Sequence, residues 1–306
     1  MHKKAHKHHQ GSREVQASKL LVATLLNLVI TLVEIAGSML SGSVALLSDA
    51  VHNLGDTFAT FIAYLASRVG KRSADSRHSF GFRRIEILSA LFNAVILLVT
   101  CVFLIREAWL RFQEPGEINS LIMMMVGMIG LLANVYALTL LRHDARHSLN
   151  VKAAYLHLLG DALSSVLVIA GGAAIHFLEL TWIDPLVTVL ISLYIIREAF
   201  AILKETVGIL MQSAPKNLDL EKIRLRIESL PGILNMHHVH VWMLTDQQVH
   251  LEAHVEFSKN LRLSETSELH TAIEEILHQE FQISHLTLQF EFNPTHEKRF
   301  IQEEKA

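Results

Sequence analysis

Six runs of about twenty largely apolar residues, each long enough to cross a bilayer's hydrocarbon core, fill the first two thirds of the chain. They are Leu20–Leu40, Val44–Ser67, Ile87–Ile105, Leu121–Leu141, Ala153–Leu178 and Ile183–Leu203. Only Ser41-Gly42-Ser43 separates the first two, which predicts a tight helical hairpin. After Pro215 the pattern shortens. Leu218–Leu230 reads as an amphipathic helix before a Pro231-Gly232 turn, and His237–Leu244 and Val249–Phe257 alternate as strands around a turn at Thr245–Gln248. Ser264–Phe281 reads as a second amphipathic helix with Ser264 as its N-cap, and Ser284–Phe292 as a third strand. The pattern predicts an α-helical membrane protein of six transmembrane helices. A C-terminal α+β domain of ferredoxin-like order α-β-β-α-β follows, its helices on one face of a sheet. The boundaries expected are a His-rich tail at 1–17, a membrane domain at 18–212, a soluble domain at 213–293 and a tail at 294–306. Met1–Gln10, rich in His and Lys, is expected to stay disordered; His2, His6, His8 and His9 could gather metal weakly.

Composition sharpens this picture. The chain is 51% hydrophobic and 19% charged, against about 25% charged in soluble domains. A net charge of −3 gives no footing for a polyanionic partner, so nucleic acid is set aside. The single cysteine, Cys101, excludes an intrachain disulfide and reads as an apolar filler within a helix. Arg68, Lys71, Arg72, Arg77, Arg83 and Arg84 crowd the second-to-third connection, and Arg142, Arg146 and Lys152 flank the fourth-to-fifth. Ser41–Ser43 and His176–Asp184 carry no Lys or Arg, whereas the third-to-fourth connection mixes Arg106 and Arg111 with Glu107, Glu114 and Glu117. Positive charge marks the cytoplasmic side, so both termini are expected inside. The first apolar run continues too far for a signal peptide, and a multi-pass protein of a bacterial inner membrane is expected.

The least apolar runs, the second and fifth, hold the chemistry. His52 and Asp56 lie four residues apart, as do His157 and Asp161, so each pair projects from one helical face. Ionisable groups in hydrocarbon are costly and mark function by default. One lone His could serve as interhelical glue; two matched pairs point further. Together they offer two imidazole nitrogens and two carboxylate oxygens, a tetrahedral set suited to zinc. Two aspartates, two neutral histidines and a divalent cation sum to zero charge, which lowers the cost of holding the ion in low dielectric. Ligands must lose protons to bind metal, so metal and protons compete for these atoms. Exposed alternately to each side, such a site would couple metal export to proton entry. Nitrogen donors disfavour Mg2+ and Ca2+, and copper(I) would want sulfur. Cobalt, nickel, iron, manganese and cadmium stay open on ligand type. Asp49, one turn before His52, reads as a proton relay, a supporting partner of the ligands or a cap near Ser48.

These residues resemble a family. Ser43-Val44-Ala45-Leu46-Leu47-Ser48-Asp49-Ala50-Val51-His52 through Asp56, with Ala154-Tyr155-Leu156-His157 through Asp161, look like the signature helices of the cation diffusion facilitators. Arg77-His78-Ser79-Phe80-Gly81 and Arg84-Ile85-Glu86-Ile87-Leu88 are similar to that family's second-to-third connection. His52 suits the CzcD-type and animal zinc transporter branch; relatives with a broader zinc/cadmium range often have Asp there. The resemblance implies a homodimeric zinc/proton antiporter with Zn2+ and H+ as substrates. It places transport on His52, Asp56, His157 and Asp161, and gives the soluble domain dimerisation and metal sensing. Some relatives bind a second metal in the loop through one Asp and two His. Here Asp75 and His78 fit but Phe82 replaces the third ligand, so that site is incomplete. The resemblance also places cytoplasmic ligands at His237, His254, His270 and Glu291, with Gln289 a poor one.

By alternation, His250, Glu252, His254 and Glu256 share one strand face, and His238 and His240 share another, with His237 turned away. Trp242 reads as core, and Met123-Met124-Met125 as packing. An intramembrane metallohydrolase is disfavoured. No His-Glu-x-x-His occurs, since Phe300 follows His296-Glu297 where the second His would stand, and a four-ligand site leaves no position for water. No enzyme is expected. A metal sensor without flux, and a carrier of another divalent ion, are the competing readings.

Overall fold

A computed structural model describes residues 2–114, 116–143, 149–294 and 298–301. Six long helices come first: α1 (His2–Ser41), α2 (Val44–Gly70), α3 (Ile85–Gln113), α4 (Ser120–Leu141), α5 (Leu149–Leu178) and α6 (Ile183–Leu210). Then follow α7 (Leu220–Glu228), β1 (Ile233–Thr245), β2 (Gln248–Phe257), α8 (Leu263–Phe281) and β3 (His285–Phe292). The element order is the one the apolar pattern predicts. The side chains of the N-terminal tail, His2, His6, His8 and His9 among them, lie outside the described residues. One expectation at an element end needs correction. The N-cap of α8 is Arg262, whose N–H donates to Glu265 at 2.7 Å, and Ser264 lies inside the first turn.

By their contacts the residues form two compact units, Met1–Tyr64 with Phe92–Leu203, and Leu65–Leu91 with Lys204–Ala306. In the first, Ala45, Leu46, Leu97, Cys101, Met123, Val126, Val168, Ile191 and Ile195 build a core shared by α2 to α6. Large apolar side chains also cover its outside, among them Val102 and Phe103 at 65% exposed. A water-soluble surface does not carry such a continuous apolar coat. Five of the six helices are long and apolar enough to span a bilayer by themselves; α2 is the exception. Ser48, Asp49, His52, Asn53, Asp56 and Thr57 lower its hydropathy, and all six are buried or half-buried inside the bundle. Helices α4 and α5 approach closely through small residues: a Cβ on Gly172 would stand 2.7 Å from Met124 Cγ.

The turn of the α1–α2 hairpin is fixed by one carboxylate. Asp184, in the first turn of α6, accepts from Val44 N at 2.8 Å, from Ala45 N at 3.2 Å and from the Ser43 hydroxyl. These are orphan donors of a helix N-terminus, satisfied from a neighbouring helix. Arg111, in the last turn of α3, donates to Gly42 O at 3.3 Å and pairs with Glu107 at 3.5 Å.

In the second unit, β1–β2–β3 form one sheet with β1 and β2 antiparallel and β2 and β3 parallel. Ile223 and Ile227 of α7 and Ile273 and Leu277 of α8 pack with Met236, Leu251, Ala253 and Val255 of the sheet. Asp219 caps α7 through Glu221 N and Lys222 N.

Candidate functional site

Helices α2 and α5 bring the two His–Asp pairs face to face. His52 Nε2 lies 3.5 Å from Asp56 Oδ2 and 3.9 Å from Asp161 Oδ1. His157 Nε2 lies 3.3 Å from Asp56 Oδ2 and 3.5 Å from Asp161 Oδ2. Each imidazole therefore meets both carboxylates, and the two rings stand 6.1 Å apart at 70°. Among the described residues, Asp56 Oδ2 and both oxygens of Asp161 are buried without a hydrogen-bond partner. Bare carboxylate oxygens cost several kcal/mol each in a dry interior, so the quartet is built to receive a cation or protons. It is more open than a closed site: no three of the four bring one ligand atom each within 4.8 Å of one another. The arrangement is a ring of His–Asp contacts, wider across its diagonals. Asp56 and His157 also border a cavity of about 240 Å3 lined by Ala23, Thr24 and Asn27 of α1 and Thr57 and Thr60 of α2. Those α2 residues lie on the Gly70 side of His52, which sets the direction of access.

A second polar layer lies one turn toward the other end of α2. Asp49 is 1% exposed and accepts from Ser164 of α5, so it caps nothing and instead ties α2 to α5. Beside it is a carboxylate absent from the sequence reading, Glu34 of α1, also 1% exposed, which accepts from Asn53 Nδ2 at 2.9 Å. Gly130 of α4 makes room for it, since a Cβ there would come within 2.8 Å of Glu34 Oε1. The signal was present: Glu34 is the one acidic residue in the Leu20–Leu40 run. Lacking a histidine at helical spacing, it fell outside the pattern sought.

Comparison with known proteins agrees with this architecture. Residues 20–211 match the cation efflux transmembrane domain, and residues 215–293 match the cation efflux protein cytoplasmic domain. The chain belongs to the cation diffusion facilitator family, in its CzcD/ZitB branch. It is 36% identical over 290 residues to the metal cation efflux system protein CzcD of Cupriavidus metallidurans, covering 94% of this chain and 90% of that protein. Zinc transporter ZitB of Escherichia coli is 37% identical over 298 residues, 95% of this chain and 94% of ZitB. A cadmium, cobalt and zinc/H(+)-K(+) antiporter of Bacillus subtilis is 31% identical over 288 residues, 94% and 91% of the two chains. This facilitator is therefore a multi-pass membrane transporter for efflux of divalent metal cations, and not an enzyme.

The facilitator's cytoplasmic domain holds a tighter cluster. Glu291 Oε2 lies 3.3 Å from His237 Nε2, and its Oε1 lies 3.0 Å from His254 Nδ1. Among the described residues these three form the group whose ligand atoms all fall within 4.8 Å of one another. Register explains the meeting, since His237 pairs with His254 across β1–β2 and Glu256 with Glu291 across β2–β3. The simple alternation expected for β1 is broken by a bulge. His238 has φ of 51° and the register shifts between His237 and His240. The bulge lets His237 face His254 while His238 also stacks on it at 4.5 Å. His270 is not brought in: it stands on α8 with Nδ1 3.9 Å from Glu274. Gln289 donates to Glu291 Oε1 at 2.8 Å.

In the second-to-third connection, Asp75 and His78 do meet, at 3.0 Å, but both are exposed. The Asp75 carboxylate accepts from Arg77 N and His78 N, which holds its carboxyl below the usual range. The Phe82 ring, 4.3 Å from His78, occupies the remaining side. The pair is a capped turn, with a phenyl ring where a third ligand would stand.

Proposed function

We propose that this facilitator exports zinc from the cytoplasm in exchange for protons, by alternating access through His52, Asp56, His157 and Asp161. The observation that carries the reading is the quartet itself, with two histidines each within 3.3–3.9 Å of both unpartnered carboxylates. Zinc bonds of about 2.1 Å require ligand–ligand edges of about 3.4 Å in a tetrahedron. The four His–Asp edges are near that value, so a bound ion needs only to draw the diagonals together. Protons arriving at the same atoms would release the ion, since each ligand binds metal only when deprotonated. The cavity beside Asp56 and His157 leads toward the basic connections, which on the positive-inside rule face the cytoplasm. That is the access required for loading from inside. Both termini then lie in the cytoplasm and the protein resides in the inner membrane. Rocking of the bundle would turn the site outward.

The cytoplasmic domain carries dimerisation in this reading, and His237, His254 and Glu291 would hold a regulatory zinc, with two nitrogens and a carboxylate as its donor set. Asp49 and Glu34, buried one turn away, suit a proton relay between the quartet and the outer face. The names of the relatives favour keeping cadmium and cobalt as further cargo, and potassium as a second counter-ion. The test is zinc flux in proteoliposomes under an imposed pH gradient, with Asp161→Ala as the control. Gradient-driven flux lost in the variant supports the proposal; flux that follows a potassium gradient alone, or survives in the variant, refutes it. Cadmium and cobalt run in competition set the selectivity.

A further inference from the structure

Three of the six basic residues of the second-to-third connection line a space that transport leaves unexplained. Lys71, Arg72 and Arg83, with Phe80 of the same segment, face His250 and His285 across a cavity of about 840 Å3, within the range of small-ligand sites. All of its lining belongs to one compact unit. His250 is 5% exposed, and its Nδ1 has no hydrogen-bond partner; Arg84 Nε, beside the cavity, is likewise buried and unpartnered. Aromatic contacts fix the imidazole: Phe80 at 5.5 Å, Trp242 stacked at 5.4 Å and His285 at 4.8 Å. The two acidic groups on the lining are Asp246 and Glu86. Glu86 turns toward the end of α2, since a Cβ on Gly70 would stand 3.3 Å from its Oε1.

The sign of the site follows from these groups. Three fixed positive charges on the lining, with Arg84 beside it, outnumber two carboxylates, and the N-terminus of α3 adds its positive end beside Arg83. Burial first, then His285, Arg83 and Arg84, hold His250 below the ordinary imidazole range. A cation would meet the same repulsion as the imidazolium. Neither histidine belongs to a three-ligand group among the described residues. A neutral His250 can still offer Nδ1–H, and guanidinium groups match phosphate oxygens in pairs. We propose that this cavity binds a phosphate-bearing anion, either an anionic lipid headgroup at the inner end of α2 and α3 or a soluble phosphate, with Lys71, Arg72, Arg83 and His250 as its contacts.

Trp242 supplies a built-in reporter, read as its emission in the full-length protein and corrected with Trp242→Phe. The protein is placed in nanodiscs of phosphatidylcholine, with or without phosphatidylglycerol, and inorganic phosphate is titrated into the pure phosphatidylcholine discs. A response to phosphatidylglycerol assigns the lipid source; a response to phosphate in neutral discs assigns the soluble one. Either response should weaken about tenfold in Arg83→Gln and separately in Lys71→Gln. Both replaced side chains are at the surface, so folding is preserved. Silence toward both probes, or a response that neither variant weakens, overturns the proposal.

Discussion

Asp161→Asn keeps the shape of the side chain and removes only its charge, which makes it the sharpest probe of the quartet. With zinc bound, the parent site sums to zero; the variant would hold one uncompensated positive charge at a position 1% exposed. At a bond of about 2.1 Å and an effective dielectric of about 20, the gross attraction removed is about 16 kcal/mol, an upper bound. The amide oxygen stays as a neutral ligand, and the ion sheds less water on entering, so the net loss is far smaller. A floor comes from residues that merely orient metal ligands, whose loss costs about 10- to 100-fold. Loss of a charged ligand must exceed the top of that range, or about 2.7 kcal/mol. Asp56 makes the same contacts but is 23% exposed and borders the cavity, where water screens its charge. Asp56→Asn should therefore weaken binding less than Asp161→Asn. Zinc titration by calorimetry measures both, in a Glu291→Gln background that silences the cytoplasmic cluster. Affinity of Asp161→Asn within tenfold of the parent, or the reverse order of the two variants, would refute the charge argument.

Other expectations are as direct. Glu291→Gln alone should remove one zinc equivalent per chain by stoichiometric titration, and that equivalent should differ from the one lost in Asp161→Asn. Asp184→Ala strands two backbone N–H groups at the start of α2 and should cost about 3 kcal/mol; a denaturation midpoint that moves by less than a third of this would remove the clamp from the account. His250 titrates below the ordinary value in the folded chain, so protonation favours the unfolded state. Stability contributed by the neutral ring is present above about pH 6.5 and declines as pH falls below it, levelling off beneath the folded value. Unfolding of the cytoplasmic domain compared at about pH 7.5 and 5.5 should show this loss, reduced in His250→Gln. An equal loss in both proteins would assign it elsewhere.

Much of this was legible in the chain because hydrocarbon is so selective a solvent. Spans are long apolar runs, and a histidine or aspartate inside one stands out, so the quartet could be named from spacing alone. Glu34 was hidden for the converse reason: its partners, Asn53 and the gap left by Gly130, sit on other helices and share no spacing with it. The cytoplasmic cluster was partly visible. Strand alternation placed the histidines, but the bulge at His238 decided which of them meet Glu291. A one-residue irregularity has no sequence signature here, since His238 is neither Gly nor Asn. His270 stands on α8 with its ring 6.1 Å from Phe290, outside the group that His237, His254 and Glu291 form.

The exceptional polarity of α2 bears on how the protein is made. Each aspartate at the middle of a span opposes partitioning by about 2.5–3.5 kcal/mol, and α2 carries Asp49 and Asp56 together with His52 and Asn53. It follows α1 after a connection too short to let the two enter separately, so α1 must bring it into the membrane. The helix that brings His157, Asp161 and Ser164 to its polar face, α5, leaves the ribosome only after two more spans. During that interval the helix bearing His52 and Asp56 is the least settled part of the nascent chain. Substitutions there can thus lower yield before they ever touch transport, and the α1–α2 hairpin is where a membrane chaperone would gain most by holding on.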